Sequence, residues 1–419
     1  MKKRYVLTGA SGRGFSTYGK QITENYSSVA EIVGIFDKNI IRATYVRDTL
    51  DPTKTIPVYT DFDAMMTETK PDVSIVTTMD AFHAEFIARS LDYGVDTITE
   101  KPMCTDAAGV QRIIDAEERN GKKITATFNY RFIPHVTKVK ELIRAGEIGE
   151  VKSIHYEWML DKRHGADYFR RWHKWMVNGG SLFVTKATHH FDMVNWWIEQ
   201  DPIKVFANGN MSFYGPGKRD YASVRCSTCP NRAKCDLPFG GFDDITMGEK
   251  RRSDYIQNMY FNAEPADGYM RDQCLYADCD IFDNMSVSVQ YSKGAQMSYT
   301  LTAFNPLEGV QYAITGTHGR IEGAAWHNLA GSFEDSAFVK LYKDDGTVID
   351  YKLPAGKGGH GGGDQRMLDR IFYGVKDGDP LGYMAGSRDG AMSVLTGAAA
   401  NISVLEDRPV YIPGMTTIL

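Results

Sequence analysis

The run KATHHFDMVNWW, residues 186–197, sets two adjacent histidines beside an acid and two tryptophans. On a helix His189, Asp192 and Trp196 share one face, and His190 lies about 100° away with Met193 and Trp197. Adjacent helical histidines cannot readily grip one ion, and the i, i+4 pair of an H-E-x-x-H zinc site is absent, so this run argues against a metal. Histidine titrates near neutral pH and can take a proton in one direction of a reaction and return it in the other. The alternative is a histidine packed against tryptophan in a core.

A second stretch with chemical potential is RYVLTGASGRGFSTYGKQI, residues 4–22, which reads as an apolar strand from Tyr5 to Leu7, a glycine-rich turn and a helix. Gly9, Gly12 and Gly14 let the backbone turn tightly and approach a pyrophosphate, whose charge would meet amides at the helix start. The middle position of G-x-G-x-x-G holds Ser11, so a plain glycine turn stays open as an alternative. The next apolar strand, EIVGIF, ends at Asp37, where an acid would receive the adenosine ribose hydroxyls and favour NAD over NADP. Lys38 could instead accept a 2′-phosphate, or Asp37 could simply cap the following helix. Arg13 in the turn, Thr77 and Thr78 at the end of DVSIVTT, His83 beyond them, and Glu100 with Lys101 in TEKPMC complete the candidate cofactor contacts. Taken alone, Lys101 could equally be a solvated loop lysine.

The elements that must position these groups come in two styles. Up to about residue 130, strands alternate with helices (DVSIVTT then DAFHAEFIARSLDYG, DTITE then DAAGVQRIIDAEERNG, KITATFN then PHVTKVKELIRAG), which implies a parallel sheet covered on both faces. Such a fold binds ligands at the carboxyl ends of its strands, where Lys101 falls. Beyond about residue 150, VKSIHYEWML, IKVFANGNMSF, MSVSVQYS, AQMSYTLTAF and VQYAITGTHGRIEG alternate with period two, as an antiparallel sheet does. MLDRIFYGV and DGAMSVLTGAAANISVLED read as closing helices.

The GxSGRG turn, the acid ending the second strand, the later E-K-P and the G-G-x(8)-H-x-x-D pattern together resemble the Gfo/Idh/MocA family, named for glucose-fructose oxidoreductase and inositol dehydrogenase. The resemblance spans nearly the whole chain. It implies an α/β Rossmann domain, residues 1–130, that binds NAD or NADP. It also implies a second α+β domain, residues 131–419, with a large, mostly antiparallel sheet and a cysteine-bearing insertion near 214–282. By motif, Lys101 and His189 would flank the hydride-transfer centre, with a sugar or polyol as substrate. The exposed face of the large sheet would support a homodimer or homotetramer.

That chemistry suits these residue types. Oxidising a secondary alcohol requires a base for the hydroxyl proton, and a nearby ammonium stabilises the developing alkoxide. Asp192, one turn after His189, could orient the imidazole. One departure stands out: dehydrogenases of this family often carry an aspartate four residues before the histidine, and here that position is Thr185, followed by Lys186. The stretch YFRRWHKWMVNGGSLFVTKATHHFD resembles a subgroup of the family, as does GKGGHGGGDQRMLDRIF, in which Asp364 would cap a helix. Tyr168, Arg171, Trp172, Lys186, His190 and His360 are the candidate substrate contacts, the rings suiting a sugar's apolar face and the arginine its hydroxyl rim. Lys186 could instead be merely exposed, and His360 could belong to a glycine loop with no role in binding.

Two other functions fit the same residues. A redox glycosidase would retain NAD, oxidise its sugar transiently, eliminate the aglycone, add water and reduce the product; a silent sugar sensor would do no chemistry. Retained cofactor separates the first from a dehydrogenase, and the presence of both Lys101 and His189 argues against the second.

Five of six cysteines fall between 226 and 279. Cys226, Cys229 and Cys235 in C-x2-C-x5-C, with distant Cys274, could form a structural zinc site; reduced thiols or disulfides are the alternatives. Across 419 residues, 48 basic against 53 acidic side chains give a formal charge of −5, which offers no general attraction to nucleic acid or anionic membrane. No run approaches the roughly 20 apolar residues of a membrane helix. MKKRYVLTGASG lacks a signal-peptide core, so a cytoplasmic location is expected.

Overall fold

Short apolar strands buried on both faces build the first sheet. In the computed structural model, which describes residues 1–220, 223–239, 253–327, 336–353 and 362–418, these strands are β1 (Lys3–Thr8), β2 (Ala30–Phe36), β3 (Val58–Tyr59), β4 (Val73–Val76), β5 (Asp96–Thr99) and β6 (Ile124–Ala126). They pair in parallel in the order β3-β2-β1-β4-β5-β6. The order reverses at β1, and a crevice opens beyond the carboxyl ends of β1 and β4. Helices His83–Asp92 and Ala107–Asn120 pack against each other beside this sheet, burying Ile87, Leu91, Val110 and Ile113.

Among the described residues the second sheet has nine strands: β7 (Val151–Asp161), β8 (Pro202–Asn210), β9 (Asn284–Tyr291), β10 (Gln296–Asn305), β11 (Glu308–Gly316), β12 (Gly319–His327), β13 (Ser336–Lys343), β14 (Val348–Leu353) and β15 (Val410–Tyr411). Their order is β14-β13-β12-β11-β7-β10-β9-β8-β15. β7 and β10 run parallel, and the other neighbours are antiparallel. Alternation in QMSYTLTAFN sends Met297, Tyr299, Leu301 and Ala303 into the core and leaves Gln296, Ser298 and Thr300 exposed on the opposite face. The alanine-rich helix Ser387–Glu406 packs on β8 and on helix Thr188–Ile198, and also reaches β6 and helix Ala107–Asn120. One helix thus joins both sheets, and a backbone bond from Ala126 to Ala385 (3.0 Å) adds to the joint. Among the described residues no helix is long and apolar enough to cross a membrane.

Candidate active site

The glycine turn owes its shape to close backbone packing. Gly9 has φ +104°, and a Cβ there would lie 2.7 Å from the backbone of Thr77 and Thr78. A Cβ on Gly14 would meet Gly9 O and Thr77 Oγ1, each at 2.5 Å. Thr77 Oγ1 donates to Gly9 O at 2.6 Å and holds the turn closed. Ser11, which breaks the glycine pattern, accepts the Gly14 N–H on its hydroxyl at 3.1 Å, as a helix cap does. The turn and Asp37 line a cleft of about 600 Å³ between the two sheets' domains.

At the far end of the turn, Asp37 accepts the Ala10 N–H at 2.9 Å and the Asn39 N–H at 2.8 Å. Burial raises its carboxyl pKa, with Arg42 and these amides opposing. The cap of the following helix Ile40–Leu50 is Asn39, not Asp37. Lys38 lines the cleft with its ammonium 5.1 Å from the Phe82 ring centre. Arg13 is tied on two sides, to Glu100 at 2.8 Å and Asp364 at 3.2 Å, and the Tyr18 hydroxyl donates to the same Glu100 oxygen. Asp364 therefore does not cap its helix: Gly362 stands at the cap, and the Asp364 carboxylate instead binds Arg13 and Asn129. His83 bridges two strand ends, its ring nitrogens 2.7 Å from Pro102 O and 3.0 Å from Thr78 O.

Beyond β5, Lys101 and His189 reach the same cleft. Lys101 Nζ donates to the Thr185 carbonyl at 3.0 Å. Burial lowers its pKa to about 8, against the pull of Asp80. Asp80 accepts the Thr185 hydroxyl at 2.7 Å, and burial pushes its carboxyl up to about 6, with His83 and Lys101 opposing. An acid from the first domain thus meets position 185. His189 is almost fully buried, its ring stacked on Tyr130 with centroids 4.0 Å apart and planes 7° apart.

Asp192 does not orient His189. Its carboxylate is taken by Arg131, which donates from Nε at 2.9 Å and from Nη2; both side chains are 2% exposed. His190 and Lys186 lie behind the cleft wall. His190 stacks on Trp158 (4.4 Å) with Nδ1 2.8 Å from the Tyr299 hydroxyl, and burial drives its pKa well below the usual histidine value. Lys186 Nζ donates to the Tyr130 hydroxyl at 3.3 Å and sits 4.6 Å from the Trp158 ring centre, so it is not an exposed lysine. Tyr168, Arg171 and Trp172 do line the cleft, with Arg171 bound to Asp167 at 3.0 Å. His360 lies outside the described residues.

Cys226, Cys229, Cys235 and Cys274 surround one space of about 10 Å³, and none of the six cysteines is in a disulfide. The Cys226 sulfur accepts from Arg170 Nη1 at 3.2 Å. Among the described residues no three His, Cys, Asp or Glu side chains converge to hold an ion.

Sequence reasoning missed Asp80, His173, Tyr255, Tyr260 and Asp267, all on the cleft wall. Asp80 had a signal, since it follows the carboxyl end of β4 in TTMDAFH. His173 stands in the quoted RRWH; it stacks on Trp172 at 3.6 Å, and burial, with Arg171 and Lys101 adding, keeps it neutral far below the usual pKa.

This fold and cleft define an NAD-binding oxidoreductase. Residues 3–128 match the oxidoreductase family's NAD-binding Rossmann fold and residues 140–412 its C-terminal alpha/beta domain, and the chain belongs to the Gfo/Idh/MocA family. It is 34% identical over 428 residues, 97% of either chain, to YteT of Bacillus subtilis (strain 168), whose name gives only the class oxidoreductase. Inositol 2-dehydrogenase of Rhizobium meliloti (strain 1021) is 28% identical over 145 residues, 35% of this chain and 42% of that enzyme. A levoglucosan dehydrogenase solved with NADH and levoglucosan shares the fold, with a TM-score of 0.67 at 17% identity over 99% of this chain and 100% of that one.

Proposed function

We propose that the protein is an NAD-dependent oxidoreductase acting on a secondary hydroxyl of a sugar, polyol or glycoside. The observation that carries this reading is the single cleft whose wall includes the glycine turn, Asp37, Lys101 and His189. The close-packed turn and the acid after β2 suit a dinucleotide. NAD is favoured over NADP because Arg42 is already paired with Asp267 and lies 4.0 Å from Asp37, so a 2′-phosphate would meet two carboxylates.

When bound, NAD supplies a nicotinamide ring that takes up or returns hydride. His189 accepts the substrate's hydroxyl proton in the oxidising direction and returns it in the other, its ring held flat against Tyr130. Lys101, cationic below about pH 8, stabilises the developing alkoxide. Asp80, ionised above about pH 6, keeps that cation in place. Tyr168 and Trp172 offer apolar faces to a sugar ring and Arg171 a rim of donors.

The test is to incubate the protein with NAD, free sugars and matching aryl glycosides, following reduced nicotinamide and released aglycone together. NADH formed without aglycone supports the dehydrogenase. Catalytic aglycone release without NADH would support the second reading, a redox glycosidase. Neither signal from any compound would sink both.

A further inference from the structure

The described end of the cysteine-bearing insertion reaches across to the glycine turn. The Tyr255 ring stacks on Phe15, with centroids 5.7 Å apart and planes 18° apart. Asn39 Nδ2 donates to Ala263 O at 2.8 Å and to Asp267 at 2.9 Å. Arg42 Nε donates to Met259 O at 3.3 Å, and its guanidinium pairs with Asp267. These contacts fasten residues 253–267 at both ends of the dinucleotide strip, beside the turn and beside Asp37. Between the two ends, the Tyr255 and Tyr260 hydroxyls stand 3.0 Å apart, each 3.0 Å from where a Cβ on Gly12 would be. Arg271 lies 3.3 Å over the Tyr260 ring and is itself bound to Glu264 at 3.2 Å, so Tyr260 is backed from behind.

We propose that this segment is the outer wall of the dinucleotide site and that the Tyr255–Tyr260 pair, whose hydroxyls share one hydrogen bond and keep one proton free, donates that proton's hydrogen bond to the pyrophosphate across from the Gly12 backbone and slows cofactor release. The proposal rests on the NAD-binding reading above. A hydroxyl donor facing an anionic oxygen makes a short, charge-assisted bond, and here it comes from the side opposite the helix start. A dinucleotide enclosed in this way leaves when the Phe15–Tyr255 and Arg42–Asp267 contacts open, and opening of such a wall can be slower than chemistry.

The experiment uses the full chain loaded with NADH and chased with excess NAD, reading the loss of protein-bound NADH fluorescence. Wild type sets the reference rate of NADH release. The double variant Tyr255→Phe/Tyr260→Phe should release it about tenfold faster or more, the expected cost of losing a hydrogen bond to a charged group. Asp267→Asn, which weakens the fastening without touching the tyrosines, should accelerate release as well. Unchanged release in both variants, or tighter binding in the tyrosine variant, would overturn the proposal and leave the oxidoreductase reading standing. A wild type that binds no NADH would defeat both.

Discussion

Asp80 and Lys101, which attract each other through space without direct contact, have pKa values moved toward each other, the acid up to about 6 and the amine down to about 8. Both shifts come first from burial, which disfavours each charged form. As pH rises through about 6, Asp80 loses its proton and the pair gains its negative member; as pH rises through about 8, Lys101 loses its charge and the pair is broken. A bell-shaped kcat/KM between those limbs is expected. In Asp80→Asn the component of the acid limb near pH 6 should disappear, leaving the limb that the His189 base contributes, and kcat should fall, with KM less affected. An Asp80→Asn profile superimposable on that of wild type would remove Asp80 from the site's chemistry. Replacing His189 by alanine should cost about 10²- to 10⁴-fold in kcat, the usual worth of a positioned acid/base group.

At the scale of elements, the glycine turn and the Arg131–Asp192 pair each make a demand that can be measured. Gly14→Ala would drive a methyl group to 2.5 Å from Gly9 O and Thr77 Oγ1, so the turn must open; NADH titration should then give a dissociation constant at least about tenfold higher. Arg131→Met would leave the Asp192 carboxylate buried without its partner, and urea unfolding should register a loss of about 3–5 kcal/mol. A loss below about 1 kcal/mol would mean that the pair is structurally idle. These elements differ in how far the sequence disclosed them. Parallel strands buried on both faces read as apolar runs, and period-two strands such as β10 announce their inward residues, so both sheets were legible. The partners of single polar groups were not. Asp192 was expected to serve His189 one turn away, but its partner Arg131 lies 61 residues back, and Asp80 meets Thr185 across 105 residues. The i, i+3 rule describes neighbours on one helix and says nothing of a stronger cation arriving from another element. Cys226, likewise, has in Arg170 a hydrogen-bond partner that its C-x2-C spacing does not announce.

At the scale of the whole molecule, helix Ser387–Glu406 joins the two sheets, and the cleft is walled by both domains, so cofactor binding should stabilise the assembly rather than one domain. Thermal unfolding with increasing NAD should shift upward continuously, approaching about 2.7 kcal/mol of added stability at a hundredfold excess over the dissociation constant. NADP at equal concentration should give a smaller shift, because its phosphate would face Asp37 and Asp267. The opposite ranking would reverse the cofactor assignment.

The central claim, that Lys101 and His189 serve hydride transfer in a dinucleotide cleft, is tested most directly by a single turnover. NAD-loaded protein is mixed with an active substrate from the sugar and glycoside panel, and the reduced-nicotinamide signal is followed in wild type, Lys101→Met and His189→Ala. The account predicts a rapid rise in wild type and a rise slowed by about 10²-fold or more in either variant. Equal rates in all three proteins would contradict it.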